Sequence, residues 1–215
     1  MSEIHHDVGV RKVALSPHGA SQQERRLVYI DLKNELFICP TSQLPGLRKR
    51  VMAQKLGTHV DTVAWNENSN ALTAIADSQL VTFFYPNAPY VDKDLLRLAS
   101  ETRDGSEFGK SPRIVSFYGA TVTVRREDGA IIVLGVAPFP MAVYGQIRSN
   151  KWQETVRLCQ SVGGTCLWAT LAGMALEHGE LEAAETGLCA LGLVDKAQHI
   201  RRIHAMPAGE VRNKV

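Results

Sequence analysis

Residues 121–176 read TVTVRREDGAIIVLGVAPFPMAVYGQIRSNKWQETVRLCQSVGGTCLWATLAGMAL, and within this stretch the spacing of the apolar residues changes. Before Pro138, short apolar runs are separated by turn residues such as Asp128-Gly129, which is typical of antiparallel strands joined by hairpins. After Pro138, apolar residues recur at the three- and four-residue spacing of helices. The change predicts a mixed chain, with β structure first and α structure after it.

The part before Pro138 contains ten predicted strands. They are residues 11–16, 26–31, 35–39, 50–56, 60–65, 71–76, 79–85, 113–118, 121–126 and 130–136. The polar residues between Tyr85 and Arg113, with Pro86, Pro89 and a charge-rich stretch at 92–107, predict a long loop with one helical turn. A propeller blade takes about 40–45 residues, so residues 1–137 hold roughly three blades, whereas a closed propeller needs about 4–8. We therefore predict a partial β-propeller over residues 1–137.

The part after Pro138 contains four predicted helices separated by glycines. Their apolar stripes are Trp152, Val156, Cys159 and Val162; Leu167, Trp168, Leu171 and Ala175; Leu181, Ala184, Leu188 and Leu191; and Leu193, Ala197, Ile200 and Ile203. Short helices with two-residue breaks and one or two apolar stripes are typical of stacked helical hairpins. Residues 138–215 are therefore predicted to begin a TPR-like helical solenoid.

Composition excludes several classes of protein. Apolar residues make up 45% of the chain and charged residues 21%, which argues against extended disorder. The net charge of +2 lacks the basic excess of a nucleic-acid binder, so no nucleic-acid partner is expected. Residues 129–147 and 158–176 carry little charge, but prolines or a glycine-rich centre interrupt them, and no membrane insertion is expected.

The sequence contains no convergent set of catalytic or metal-binding residues. The nucleotide-binding, hydrolase and zinc-protease motifs are absent, and His18, His178, His199 and His204 are scattered. His59 is expected to be a structural histidine bonded to a neighbouring strand of its blade. His5-His6-Asp7 is expected to be a frayed terminus rather than a metal site. We therefore predict no catalytic residue, no cofactor, no metal site and no enzymatic activity.

Basic clusters and tryptophans are the remaining candidate features. Arg48-Lys49-Arg50, Arg125-Arg126 and Arg201-Arg202 are expected to be solvated or to line a protein-docking rim. Trp65, Trp152 and Trp168 fall on apolar stripes and are expected to be core residues. Among them, Trp152 is placed to seal the contact between strands and helices. The sequence assigns no particular residue to a protein interface.

Several motifs resemble known families. Residues 57–65 (GTHVDTVAW) and 10–19 (VRKVALSPHG) resemble the inner strands of WD-type propeller blades. More specific likenesses lie at residues 84–92 (FYPNAPYVD), 106–108 (SEF), 114–117 (IVSF), 125–129 (RREDG), 151–159 (KWQETVRLC), 167–169 (LWA) and 192–198 (GLVDKAQ). Together these residues resemble the intraflagellar transport protein 80 family from about residue 10 to 206. The chain departs from that family at residues 161–164, where relatives carry a charged, more helical stretch.

The resemblance implies the end of a second WD40-like propeller followed by the first solenoid hairpins. It also implies a non-catalytic scaffold or adaptor subunit of intraflagellar transport complex B, with other complex B subunits as partners. The implied location is the cilium or flagellum, the ciliary base and the cytoplasm. The alternatives are another propeller–solenoid trafficking scaffold, such as a vesicle-coat-like subunit, an enzyme with a site at the strand–helix junction, or a nonfunctional truncated paralogue.

Self-association is a further expectation. Three blades leave unpaired sheet edges, and exposed edges can pair with other chains. The last predicted hairpin, residues 181–203, carries a stripe of Leu, Ala and Ile for which no following hairpin is expected as a stacking partner. We therefore expect the chain to form dimers or larger oligomers.

Overall fold

A computed structural model describes residues 6–17, 25–41 and 52–206 of the chain. The first sheet comprises β1 (Val10–Leu15), β2 (Arg26–Asp31), β3 (Leu36–Pro40) and β4 (Gln54–Gly57). The second comprises β5 (Val60–Trp65), β6 (Leu72–Ala76), β7 (Gln79–Phe83) and β8 (Ser100–Asp104). The third comprises β9 (Arg113–Tyr118), β10 (Thr121–Arg125) and β11 (Ile131–Gly135). Every sheet is antiparallel, and its strands pair in chain order.

The three sheets lie side by side like propeller blades. The first strands of neighbouring sheets are in contact, β1 with β5 and β5 with β9. Trp65 at the end of β5 donates its indole N–H to the Ala14 carbonyl at 3.1 Å, and Arg11 donates to the Val60 carbonyl at 2.8 Å. One apolar core lies between the first and second sheets and another between the second and third. The expectation of about three blades is thus confirmed.

The described residues also form seven α-helices and a short 3-10 helix (Ser106–Phe108). Two short ones, α1 (Ala88–Val91) and α2 (Asp94–Leu98), interrupt the second sheet between β7 and β8. The others are α3 (Phe139–Arg148), α4 (Trp152–Val162), α5 (Thr165–His178), α6 (Leu181–Ala190) and α7 (Val194–Ala205). Consecutive helices from α3 to α7 pack against one another. Gly179, with a left-handed φ of +74°, ends α5 because a side chain would be strained there. The predicted order of β then α is confirmed.

The structure corrects two parts of the sequence prediction. The loop predicted between Tyr85 and Arg113 contains α1, α2 and β8. The strand β8 was missed because an outer strand with exposed faces needs no apolar alternation, and it reads SETRD. The helix α3 was not predicted because Pro138 and Pro140 suggest a break. Proline is tolerated at the start of a helix, where the N–H has no helical partner; Pro138 is the N-cap of α3 and Pro140 lies in its first turn. The predicted strand 50–56 begins outside the described residues and is observed as β4.

Candidate interaction site at the sheet–helix junction

Residues 84–99, here called the junction segment, join the second sheet to the helices. The segment leaves β7, forms α1 and α2, and returns as β8. Tyr85, Ala88, Leu95 and Ala99 are buried in the same apolar cluster as the inward-facing residues of α3 to α7. The sequence predicted a polar loop in this region, and its buried residues instead form the surface on which the helices pack.

A network of hydrogen bonds around Glu177, here called the Glu177 network, connects three parts of the chain. Arg26 on β2 donates from Nη2 to Glu177 Oε1 at 3.1 Å and from Nε to Asn87 Oδ1 at 3.0 Å. Asn87 Nδ2 donates to Glu177 Oε1 at 3.2 Å, and the Tyr85 hydroxyl donates to Glu177 Oε2 at 2.9 Å. One carboxylate near the end of α5 therefore holds both the first sheet and the junction segment.

The surroundings of the Glu177 network make it costly to break. The Arg26 side chain is 9% exposed and that of Glu177 is 31% exposed. A guanidinium taken out of water needs a carboxylate or other acceptors nearby, because an uncompensated buried charge is strongly unfavourable. Burial raises the pKa of Tyr85 well above its ordinary value, and the charge of Glu177 raises it further. Tyr85 therefore remains a neutral hydrogen-bond donor at physiological pH.

Gly173 lets α5 approach the Tyr85 ring closely. A Cβ atom at this position would lie 2.4 Å from Cε1 of Tyr85, far inside van der Waals contact. Glycine inside a helix costs about 1 kcal/mol relative to alanine. Here that cost is offset by the packing of a fully buried tyrosine directly against the helix backbone.

A second tyrosine fixes α3 to the same segment. Tyr144 is buried, and its hydroxyl donates to the Phe84 carbonyl at 2.6 Å. Burial raises the pKa of Tyr144, with a smaller contribution from the charge of Glu177. The junction segment is thus bonded to α3 at its beginning and to α5 a few residues later.

A charged clamp, here called the Lys196 clamp, joins the far side of the junction segment to α7. Lys196 Nζ donates to Asp92 Oδ1 and Oδ2 at 2.8 and 2.6 Å and to Asp94 Oδ2 at 2.6 Å. The hydrogen bond from Lys196 lowers the pKa of Asp94. Burial acts to lower the pKa of Lys196, but the hydrogen bonds to Asp92 and Asp94 outweigh it, so the pKa is raised.

The three tryptophans that were expected to be core residues have different surroundings. Trp65 is buried between the first two sheets, as expected for a core residue. Trp152 and Trp168 are half-buried against the helical cluster, and the Trp152 ring meets His178 edge-on at 5.7 Å. The bonds that join sheets to helices come instead from Tyr85, Tyr144 and Glu177. These residues lie far along the chain from the residues that they bond, so no local sequence pattern predicts the contacts.

The histidines are partly as predicted. His199 and His204 are exposed on α7, and His178 is exposed at the end of α5. His59 lies in the turn before β5 with its side chain 70% exposed, and its Nδ1 is 3.4 Å from Asp77 Oδ2 in the β6–β7 turn. It bonds to a neighbouring hairpin of its blade, but it is not buried. His5 and His18 lie outside the described residues.

His6 differs from the expectation of a frayed terminus. Its ring packs edge-on against Tyr29 and Phe37 at 5.0 and 4.8 Å, and its Nε2 is 3.3 Å from Asp31 Oδ2. Aromatic packing and a carboxylate partner together hold His6 against the first sheet. The prediction of a frayed terminus is therefore wrong at this residue.

The basic clusters that the structure describes are solvated. Arg126 pairs with Asp128 at 3.1 Å, and Arg201 pairs with Glu185 at 2.6 Å, both on exposed surface. Residues 48–50 lie outside the described ranges. In those ranges no three histidine, cysteine or acidic side chains are grouped so that they could hold a metal ion. Nor does any described helix have the length and apolar character needed to cross a bilayer.

The four cysteines are free thiols in different environments. Cys39 and Cys159 are buried, Cys166 is half-buried and Cys189 is exposed on α6. Burial raises the pKa of Cys39 to about 11 and those of Cys159 and Cys166 to about 12. These three are accordingly poor nucleophiles, because the thiolate is the reactive form.

Three blade-like sheets followed by successive packed helices, with a buried junction between them, define the class of propeller–solenoid scaffolds. Comparison with known proteins gives the family. Residues 1–139 match the family described as "IFT80 second beta-propeller", and residues 167–214 match the "IFT80/172/WDR35/WDR19 TPR domain". The chain is 36% identical over 207 residues to the intraflagellar transport protein 80 homologs of Rattus norvegicus and Mus musculus.

This chain belongs to the intraflagellar transport protein 80 family, as the sequence motifs predicted. The alignment covers 96% of the chain and 26% of each relative. The chain thus spans about a quarter of the length of these curated relatives.

Proposed function

We propose that this chain is a non-catalytic scaffold or adaptor subunit of intraflagellar transport complex B, which supports intraciliary transport and cilium or flagellum assembly by docking other proteins. The observation that carries the proposal is the junction between sheets and helices. A scaffold must present its docking surfaces at a fixed angle, and the Glu177 network, Gly173 and Tyr144 all restrict that angle. Family membership supplies the transport context.

The proposed partners are other complex B subunits, at the cilium or flagellum, at the ciliary base and in the cytoplasm. Neither nucleic acid nor a membrane is proposed as a partner. One arginine of each described basic pair has an acidic neighbour, Arg126 beside Asp128 and Arg201 beside Glu185. We also propose that the domains divide as residues 1–137 and 138–215. In support, β11 ends at Gly135 and α3 begins at Phe139.

The test is recovery of complex B subunits on a tagged chain expressed in a ciliated cell. We expect the parent chain to recover them and the Gly173→Ala variant, which disturbs the junction, to recover fewer. Gly145→Ala is the matched control, because Gly145 also lies in a helix but a Cβ there meets nothing within 4 Å. Failure of the well-folded parent chain to recover any complex B subunit would contradict the proposal and favour the nonfunctional paralogue.

Absence of catalysis and of a bound metal or cofactor is part of the proposal. It is supported by the grouping of side chains in the described ranges, where no three histidine, cysteine or acidic residues lie together so that they could hold a metal ion. Elemental analysis and absorption spectra of tag-free protein test it. Stoichiometric zinc or a cofactor spectrum would contradict it.

Self-association remains a proposal as well. Val13 and Leu15 on β1 are about half exposed, whereas Val63 and Trp65 on the first strand of the second sheet are buried between sheets. Exposed apolar area favours association by about 25 cal/mol per Å² before the entropy of pairing is subtracted. Sedimentation across a tenfold dilution tests this. A monodisperse monomer at every concentration would contradict it.

A further inference from the structure

An open groove lies between β4 of the first sheet and the facing surface of the second sheet, with α2 at one end. Both sheets have four strands, and described residues of both sheets form the walls of the groove. Its volume is about 320 Å³, near the lower limit of about 300–1,000 Å³ for ligand pockets. That space suits one or two side chains of a peptide better than a drug-sized molecule. The apolar part of the lining comprises Leu56, Val60, Ala74, Ala76, Val81 and Phe83.

Small side chains on β6 leave the groove open. Ala74 and Ala76 lie on the same face of the strand, because side chains alternate along it, and both line the groove. At the other end of the same face, Leu72 lies opposite Trp65, and both are buried between the sheets. Large side chains therefore fill the space between the sheets near Trp65, whereas alanines leave a cavity near Ala76.

The two ends of the groove carry opposite charges. At the α2 end, Arg97 lines the groove, and its exposed side chain forms no ion pair with a carboxylate of the described residues. At the other end, Asp77 lines the groove, with the exposed His59 as its partner at 3.4 Å. The strand β7 runs between these ends. Its residues Gln79 and Phe83 are four positions apart, which corresponds to about 13 Å along a strand.

This arrangement of charges specifies the chemistry of an occupant. In an extended peptide, side chains two residues apart lie on the same face, and residues four positions apart are about 13 Å from each other. A segment with acidic, apolar and basic residues at every second position would place its carboxylate beside Arg97 and its cation beside Asp77. Its apolar side chain would then enter the cavity beside Ala76. Burial of that side chain supplies affinity, and the charges at the two ends supply selectivity.

We propose that this groove binds an extended segment of a partner protein, in which an apolar residue lies two positions from an acidic residue on one side and a basic residue on the other. The complementarity of such a segment to Arg97 and Asp77 favours it over a purely apolar occupant. The inference rests on the proposed docking function, but it does not require the partner to be a complex B subunit. Recovery of complex B and binding of a peptide can therefore fail independently.

The probe is an end-capped, fluorescein-labelled peptide containing Glu-Ser-Leu-Ser-Lys, and its binding is followed by fluorescence anisotropy. We expect Ala76→Leu to weaken binding by about tenfold or more, because the larger side chain occupies the cavity that the peptide leucine enters. Replacement of that leucine by alanine in the peptide should have a similar effect. Ala190→Leu, the same change at an exposed position on α6, is the matched control and should leave binding unchanged.

A charge exchange tests the α2 end of the groove. Arg97→Glu should weaken binding of the probe by about three- to tenfold, and this variant should bind a Lys-Ser-Leu-Ser-Lys peptide more tightly than the parent chain does. Lys93→Glu is the matched control, because Lys93 is an exposed cation beside α2 that is not part of the groove lining. A reversed preference between the two peptides is a result that a misfolded variant cannot give.

Four outcomes would overturn the proposal. The first two are no binding of the probe by the parent chain and equal binding by the parent chain and Ala76→Leu. The third is conversion of an oligomeric parent chain into a monomer by Ala76→Leu, which would place a second copy in the groove. The fourth is a clear loss of resistance to urea in Ala76→Leu relative to Ala190→Leu, which would mean that the chain itself fills the groove.

Discussion

The Glu177 network and the Lys196 clamp both tie the junction segment to a solenoid helix through charged side chains, yet their environments differ. In the Glu177 network the guanidinium of Arg26 is almost fully buried and a neutral tyrosine donor shares the carboxylate. In the Lys196 clamp Asp94 is 72% exposed, whereas Lys196 is half-buried and Asp92 is mostly buried. Exposed pairs contribute little because water and salt screen them, whereas a buried charge that loses its partner is costly.

The two sides of the junction therefore make different contributions to its stability. The buried side, with Gly173, Tyr85 and Glu177, holds the position of α5 against the sheets. The exposed side adds an attraction between α7 and the junction segment that salt can weaken. The substitutions below are ordered by the size of the effect that this difference predicts.

Gly173→Ala should give the largest loss of stability. The added methyl group collides with the Tyr85 ring, which is enclosed on all sides, so α5 must move away from the junction segment. Overpacking of this kind costs about 1–3 kcal/mol, and we expect the upper end. Urea unfolding measures the change. Gly145→Ala should instead be neutral or slightly stabilising, and an equal loss in both variants would mean that the close approach is unimportant.

Glu177→Ala should destabilise the chain by about 2 kcal/mol, because it removes one charged partner of the buried Arg26 and the acceptor of the Tyr85 hydroxyl. The comparison variant is Glu154→Ala, since Glu154 forms an exposed pair with Lys151 at 3.3 Å on α4. Thermal or urea unfolding should show a change below about 0.5 kcal/mol for this control. Similar effects of the two substitutions would remove the distinction between buried and exposed pairs.

Tyr144→Phe should cost about 1 kcal/mol, the usual value of one buried hydrogen bond between neutral groups. The ring remains, so packing of α3 is kept and only the bond to the Phe84 carbonyl is lost. Tyr118→Phe, at an exposed position on β9, serves as the control in the same unfolding measurement. A loss as large as that of Glu177→Ala would show that Tyr144, rather than Glu177, anchors the helices.

Lys196→Met should have the smallest effect, below about 1 kcal/mol, and the effect should shrink as salt is added. Since the pKa of Asp94 is held below its ordinary 3.8, the clamp contributes fully above that pH and is lost as pH falls through the lowered value. The pKa of Lys196 is raised above 10.5, so the contribution is also present below pH 10.5 and lost as pH rises through the raised value.

Unfolding of the parent and the Lys196→Met variant, measured across pH and salt, tests this description. Lys93→Met, which removes an exposed positive charge from the same segment, is the control. A large, salt-independent loss on removal of Lys196 would mean that the clamp belongs with the buried side of the junction.

The sequence predicted the fold well where the pattern was local. Hairpins with turn residues and helices with apolar stripes indicated the sheets and α4 to α7. It failed for β8, whose side chains are polar because the strand lies at an edge, and for α3, whose first turn contains prolines. The apolar residues Leu95 and Leu98 are a local signal that the junction segment packs on helices. The prediction of a polar loop did not take them into account.

The junction itself was beyond the reach of local patterns. Arg26 and Glu177 are 151 positions apart, and nothing near either residue indicates the other. In the sequence, Gly173 is an ordinary small residue of a buried helix, and its contact with the Tyr85 ring is evident only in the structure. Contacts of this kind depend on how the formed helices and strands pack together, and periodicity and turn signals do not describe that packing.

The arrangement of the thiols has a consequence for spectroscopy. Cys189 is the exposed cysteine of the four, and burial suppresses the reactivity of the others, so a maleimide dye should attach mainly to α6 without removal of any native cysteine. A second dye at an engineered position on the first sheet would complete a donor–acceptor pair. Energy transfer between the two would then report in single molecules whether the solenoid holds one angle to the propeller or samples several.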